Sequence, residues 1–240
     1  MQLDNQEKRA GSMDNEKNVS VERQAYDRIK GQIMNLDLKP GQMLNDLDVA
    51  KVMGISRTPV RDAFRRLEFE GLLNNQPRRG WMVSPLRLED IREIFLIKES
   101  LQGLLASQAA GCNNDSLRVE MKAILEDMET SIDKAGQLWW DQAHARFHEL
   151  MFDMSDFPTG RTHTILNQLN DQWRRVRKGL FTIEGYRMRE LRDHLQIGQA
   201  ILACDPEKSE TLMRAHLHRV REELLELLEN LVFPFVTHGV

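Results

Sequence analysis

A chain of 240 residues is long enough for two domains, each with its own core. Its two cysteines, Cys112 and Cys204, exclude a disulfide framework, and no apolar run reaches about 18 residues, which excludes a membrane-spanning helix. The formal net charge of −4 is unevenly spread, because residues 21–85 hold 11 Lys and Arg against 8 Asp and Glu. A basic module on an acidic body predicts that nucleic acid contacts one end only.

Residues 1–20 are rich in Asn, Asp, Glu, Lys and Gln and have almost nothing to bury, which predicts a disordered tail. This polar start carries no signal peptide and, with reduced cysteines, predicts a cytoplasmic protein. Ala25, Ile29, Ile33 and Met34 then form a helical apolar stripe that the Leu38-Lys-Pro-Gly-Gln42 turn ends. Leu47, Val49, Ala50, Val52 and Met53 predict a short second helix, followed by a tight turn at Gly54-Ile55.

Ser56 to Leu72 read as one helix with two incompatible faces. Val60, Phe64 and Leu67 fall at i, i+4 and i+7 and require a core, while Arg57, Arg61 and Arg65 share a different side. Ser56 is placed to cap the start, Pro59 sits where first-turn amides lack intrahelical partners, and Gly71 marks the end. Two short helices around a tight turn, the second rich in arginine, are helix-turn-helix grammar. Leu72 to Ser84 add two short apolar runs around a Pro/Gly turn, a hairpin with Arg78 and Arg79 at its tip, which reads as a wing.

After Val83-Ser-Pro85 the period becomes helical throughout. Leu88 to Ala110 carry a buried stripe at Ile91, Ile94, Phe95, Leu101 and Leu105, and further helices are predicted over 115–134, 136–154, 160–181, 185–203 and 206–231. The fold class is therefore mainly α, an N-terminal winged helix-turn-helix over 21–85 followed by an all-helical bundle over 86–232 and a tail over 233–240.

Four of the seven histidines fall within this helical half at His144, His148, His194 and His216. His144 and His148 are i, i+4, so their rings lie one turn apart on one helix face; alone, such a pair reads either as an ordinary surface pair or as two ligands of one metal ion. If the helices of His194 and His216 run antiparallel, all four rings meet inside the bundle, as bundle metal sites do. His218 points about 200° away from His216 and is a poor co-ligand. His163 and His238 have no partner at ligand spacing. No Gly-rich phosphate loop or nucleophile elbow is present.

The segments Leu38-Lys-Pro-Gly, Gly54-Ile-Ser-Arg-Thr-Pro-Val-Arg, Leu67-Glu-Phe-Glu-Gly-Leu and Arg79-Gly-Trp, in that order and spacing, closely resemble the GntR family of bacterial transcription regulators. The resemblance implies a homodimer on a palindromic double-stranded operator, since one short helix reads too few base pairs for genomic specificity. Arg57 and Arg61 are then expected at base edges or phosphates near the groove floor, Thr58 and Arg65 at phosphates, with Ser56 beside them and Arg79-Gly80 as the wing contact. Phe147-His148, Asp193-His194 with Ile197 and Ile201, and Met213-Arg-Ala-His-Leu217 further resemble the helical ligand-binding domain of the family's FadR-like branch. In its metal-binding members a carboxylate or amide and three histidines hold a divalent ion that binds a small carboxylate effector. His148, His194 and His216 match the histidines, whereas His144 stands where the family usually has Asp or Asn.

An all-imidazole set suits a transition metal, Zn or Ni above all, better than Mg or Ca, and leaves the ion more positive toward an anionic ligand. The arginine with which relatives often clamp a carboxylate is absent, with Phe95 in its place; Arg146, Arg174, Arg175 and Arg177 are the basic residues available to substitute for it. The expected function is a regulator, more a repressor than an activator on family grounds, controlled by a small-molecule effector such as an organic acid at or near the ion. Two alternatives stand beside it: a direct metal-responsive regulator, and a metal-dependent hydrolase with Glu149 or Asp193 as base.

Overall fold

The apolar stripe Ala25, Ile29 and Ile33 is fully buried in helix α1, which runs over the described residues 21–34. The computed structural model describes residues 21–85, 87–132, 136–181 and 183–230. The expected disordered tail at 1–20, the tail at 233–240 and the helix ends predicted at 134 and 231 lie outside these residues. Chain contacts divide the protein into two compact units at Arg87/Leu88.

In the first unit, α1 is followed by strand β1 (Met43–Leu44), α2 (Asp46–Met53), α3 (Arg57–Phe69), β2 (Leu73–Gln76) and β3 (Gly80–Val83). Val60, Phe64 and Leu67 bury completely from α3, and the Phe64 ring lies 5.4 Å from that of Trp81 on β3. This is how the arginines of α3 come to face away from the core. Asn45 caps α2, its side chain accepting from the Leu47 amide at 2.8 Å, and Gly54 closes it in the left-handed conformation at φ 67°. Ser56 occupies the N-cap position of α3, yet its hydroxyl makes no capping hydrogen bond, so the expected cap is positional only. The end of α3 is tied to α1 instead: the Glu70 carboxylate accepts from the Tyr26 hydroxyl at 2.8 Å and Lys30 at 2.9 Å.

The hairpin expected over 72–84 is present and belongs to a three-stranded antiparallel sheet of order β1-β3-β2. Gln76 pairs with Gly80 and Leu73 with Val83, while Met43 and Leu44 of β1 pair with Met82 and Trp81. Strand β1 was not expected, because two residues carry no period; it exists only through its pairing with β3.

The second unit is all-helical among its described residues: α4 (Leu88–Ala110), α5 (Asp115–Ser131), α6 (Gln137–Asp153), α7 (Arg161–Leu180), α8 (Tyr186–Leu202) and α9 (Pro206–Asn230). Helix α4 lies along α9, and α8 packs against both α5 and α9. Phe95, Trp140, Phe147, Tyr186, Ile197, Met213 and Leu224 build its buried interior. Among the described residues no helix is long and apolar enough to cross a membrane.

Two glycines of the first unit should respond oppositely to Ala. Gly31 lies inside α1 with open space around the position of a Cβ, so Gly31→Ala should stabilise the protein by about 0.5–1 kcal/mol. Gly80 sits at φ 101° with the Leu44 carbonyl oxygen 2.7 Å from an added Cβ, so Gly80→Ala should destabilise by about 1–3 kcal/mol. Urea unfolding of the two variants measures both.

Candidate metal centre and nucleic-acid interface

Helix α3 and the β2–β3 turn present the expected basic side chains outward. Arg57, Arg61 and Arg65 keep 55%, 54% and 65% of their side chains exposed, and Ser56, Thr58, Arg78 and Arg79 are exposed as well. Two of the arginines share one carboxylate from the preceding helix: Arg57 donates to Asp46 at 2.9 Å, and Arg61 lies 3.6 Å from it. Asp46 thus holds both guanidiniums at the start of α3, a contact eleven residues apart in sequence that periodicity could not reveal. At the hairpin tip Arg78 is left-handed at φ 66°, and the Arg79 amide donates to the Gln76 carbonyl at 2.9 Å, which closes the turn and places Arg79 beside Gly80.

Inside the second unit the four histidines come together. His144 and His148 project from α6, His194 from α8 and His216 from α9. Ring centroids are 4.6 Å apart for His144 and His148, 4.8 Å for His144 and His194, and 4.8 Å for His194 and His216. Candidate ligand nitrogens of His144, His148 and His194 all lie within 4.8 Å of one another, and the Nε2 atoms of His148 and His194 are 3.3 Å apart. His216 adjoins this trio through the His194 ring.

The other nitrogen of two of these rings is already committed. His194 Nδ1–H donates to the Glu190 backbone carbonyl one turn earlier at 2.6 Å, and His216 Nδ1–H donates to the Asp193 carboxylate at 2.9 Å. Each bond leaves Nε2 as the basic atom, the arrangement in which a backbone carbonyl or carboxylate orients a ligating imidazole. Arg219 donates to the same Asp193 oxygen that accepts from His216, and to Glu223 at 3.1 Å. Burial pushes the Asp193 carboxyl up, but the hydrogen bonds and charges of His216 and Arg219 outweigh it and hold it below the usual range.

Electrostatics favour the neutral form of three of the rings. Burial, then the charges of Arg177 and the other imidazoles, pushes His144 well below the usual histidine range; burial with the neighbouring imidazoles does the same to His148. His194 is pushed down to about 3, by burial first and then by His216. Neutral imidazoles are what a metal ion requires of its ligands. With Nε2 of His194 bare, the facing Nε2 of His148 must bring the proton of their 3.3 Å contact, which leaves His148 Nδ1 bare, and that atom is buried without a hydrogen-bond partner. A divalent cation fits this donor set: it satisfies lone pairs that a single proton cannot.

Around the rings lie groups that sequence reasoning passed over. Glu190, 1% exposed, accepts from Trp140 Nε1–H at 3.0 Å and the Tyr186 hydroxyl at 3.3 Å, with His144 Nε2 3.4 Å away. Lys98, 2% exposed, donates to Asn170 at 2.7 Å and sits 5.3 Å from the Phe95 ring centroid. Burial, then Arg177, pushes its amine well below the usual lysine range. Arg177 reaches Asp141 at 3.3 Å and Glu190 at 3.9 Å. Of the residues named for an effector, Arg177 therefore lies in the surroundings of the histidines, Phe95 is buried beside Lys98, and Arg175 is buried at 2% exposure. Arg146 is taken up by Glu120 and Asp153, and Arg174 is exposed beside Asp171 at 3.9 Å. Glu149 is paired with His163 at 3.4 Å, whereas Asp193 serves His216.

Comparison with known proteins assigns both units. Residues 21–83 match the family described as bacterial regulatory proteins, gntR family, and residues 93–219 match the FCD domain. The chain belongs to the GntR family. Its relatives include the HTH-type transcriptional regulator YdhC of Bacillus subtilis (strain 168), 28% identical over 86% of this chain and 92% of that protein. The HTH-type transcriptional repressor RspR of Escherichia coli (strain K12) is 26% identical over 86% and 90%. Among solved structures, a GntR regulator from Rhodococcus sp. RHA1 superposes with a TM-score of 0.65 at 18% identity, covering 86% of this chain and 98% of that one. E. coli McbR/YncC gives 0.63 at 20% identity, over 86% and 97%. These two likenesses establish the shared fold.

This GntR protein is therefore a DNA-binding transcription regulator with an FCD effector domain. The hydrolase alternative falls, because families and relatives alike are transcription regulators rather than enzymes. Asp193→Ala, which strips His216 and Arg219 of their shared acceptor, should destabilise the protein by about 1–3 kcal/mol in urea unfolding. Glu149→Ala, which removes an exposed pair, should change stability by less than about 0.5 kcal/mol.

Proposed function

We propose that this regulator is a homodimeric repressor on a palindromic operator, and that a small organic acid bound at a His-ligated divalent metal ion sets its operator affinity. The observation that carries the metal reading is the trio of neutral, buried or half-buried imidazoles with candidate donor atoms within 4.8 Å of one another, in a unit separate from the arginine helix. His144, His148 and His194 would hold the ion, with His216 as the fourth imidazole. All-nitrogen donors favour Zn or Ni. Bound there, the ion supplies a positive centre for an anionic ligand. Arg177 adds a second positive charge near the rings, which supports an acid as the effector. Repression follows the function named for RspR.

On the DNA side, Ser56, Arg57, Thr58, Arg61, Arg65, Arg79 and Gly80 form the proposed contact surface. Asp46 pre-positions Arg57 and Arg61, so less side-chain freedom is lost when they meet the duplex. Arg61→Ala should weaken operator binding by about 1–3 kcal/mol and relax specificity at one base pair, measured by fluorescence anisotropy over operator variants. Uniform weakening across sequences with a shallower salt dependence would instead assign Arg61 to phosphate.

For the sensor, chelator-treated protein titrated with Zn(II) or Ni(II) should take up the ion, and His148→Ala should lose at least about tenfold in affinity in competition with a chromophoric chelator. The regulatory step requires that the effector distinguish two arrangements of the protein. A panel of small carboxylates should yield one that shifts operator affinity in the metal-loaded protein; identical affinity with and without a demonstrably bound acid contradicts the reading.

A further inference from the structure

His144 stands against a carboxylate that comes from another helix, 3.4 Å from its Nε2. Glu190 stands on α8 one turn before His194, so the i, i+4 relation that aligns His144 with His148 on α6 also sets Glu190 beside His194 on α8. Its side chain is buried at 1% exposure, where a carboxylate is costly unless charges and hydrogen bonds compensate it.

That compensation is specific. Trp140 Nε1–H and the Tyr186 hydroxyl donate to its two oxygens at 3.0 and 3.3 Å, Arg177 stands at 3.9 Å, and His144 Nε2 is 3.4 Å from the oxygen that Tyr186 also reaches. Three elements thus converge on one carboxylate: α6 with Trp140 and His144, α7 with Arg177, and α8 with Tyr186. Its backbone carbonyl simultaneously orients His194. Glu190 is not one of the residues whose candidate ligand atoms group together, which are His144, His148 and His194. It stands behind one of them.

We infer that Glu190 is the positioning carboxylate of the centre, fixing His144 through Nε2–H. The inference rests on the metal reading proposed above and adds to it a role for a residue outside the ligand set. It also predicts a mixed set of tautomers. His194 and His216 donate through Nδ1 and present Nε2, whereas His144, whose Nε2 lies 3.4 Å from Glu190, should carry its proton on Nε2 and present Nδ1.

The test is a double-mutant cycle in Co(II)-substituted full-length protein, with Glu190→Gln, His144→Ala and the double variant, read by chelator competition and by visible d–d absorption. Glu190→Gln should lower metal affinity by about 10- to 100-fold and shift the Co(II) bands. In the His144→Ala background the same change should cost less than about twofold, because its route to the ion is gone. Unchanged affinity and spectrum in Glu190→Gln overturns the inference while leaving the metal centre standing. A loss that persists undiminished without His144 overturns it as well, since Glu190 then acts by another route. No metal uptake by the wild-type protein overturns the centre itself and the inference with it. Should Glu190→Gln fail to fold, long-range 1H–15N correlation spectra of metal-free wild-type protein decide: an Nε2–H tautomer at His144 is expected, and an Nδ1–H tautomer there refutes the role.

Discussion

Imidazoles packed ring against ring inside a protein cannot all be cations, and the polar architecture of the helical unit follows from that constraint. Burial and mutual repulsion hold His144, His148 and His194 neutral. Neutral rings bring lone pairs into the interior, and each needs a proton donor or a cation. The fold answers for His194 and His216 with a backbone carbonyl and with Asp193, which settle which nitrogen keeps the proton. For His148 Nδ1 it provides nothing among the described residues. An apolar cluster of the same volume would fold without these arrangements, so their presence argues for a ligand rather than for packing.

The first unit solves a different problem, exposing arginines without letting them wander. Its core residues Val60, Phe64 and Leu67 fix the rotation of α3, and Asp46 gathers Arg57 and Arg61 at the helix start. Mutual repulsion between two guanidiniums is offset by one shared carboxylate. The wing is shaped by Gly80, where both the backbone angle and the nearness of the Leu44 carbonyl forbid a side chain, so Arg79 is carried at a turn with little freedom.

Helical periodicity made α1, α3 and all six helices of the second unit legible in the sequence, because each buries one continuous stripe. Strand β1 was not, since Met43 and Leu44 become a strand only when β3 is beside them. The cap at Ser56 failed for a related reason: composition identifies a residue able to cap and does not say whether its hydroxyl turns inward. At the histidine site the i, i+4 pair was visible, and so was the possible convergence of four rings, which the packing of α8 against α9 realises. Glu190 carried the same i, i+4 signal toward His194 and was overlooked because a glutamate in a charged helix ordinarily faces water. Lys98 was hidden likewise; nothing in Lys98-Glu99 tells which of the two is buried. Arg146 and Arg174 looked equivalent to Arg177 in sequence, and only tertiary packing separates the one near the rings from the two facing outward.

The central claim, that the buried histidine cluster is a metal centre, is tested most directly by X-ray absorption spectroscopy of the purified protein loaded with one equivalent of Zn(II). The account predicts a first shell of nitrogen and oxygen scatterers with the multiple-scattering pattern of several imidazoles and no sulfur. Sulfur from Cys112 or Cys204 in that shell, or a spectrum of hydrated ion with no imidazole, would contradict it.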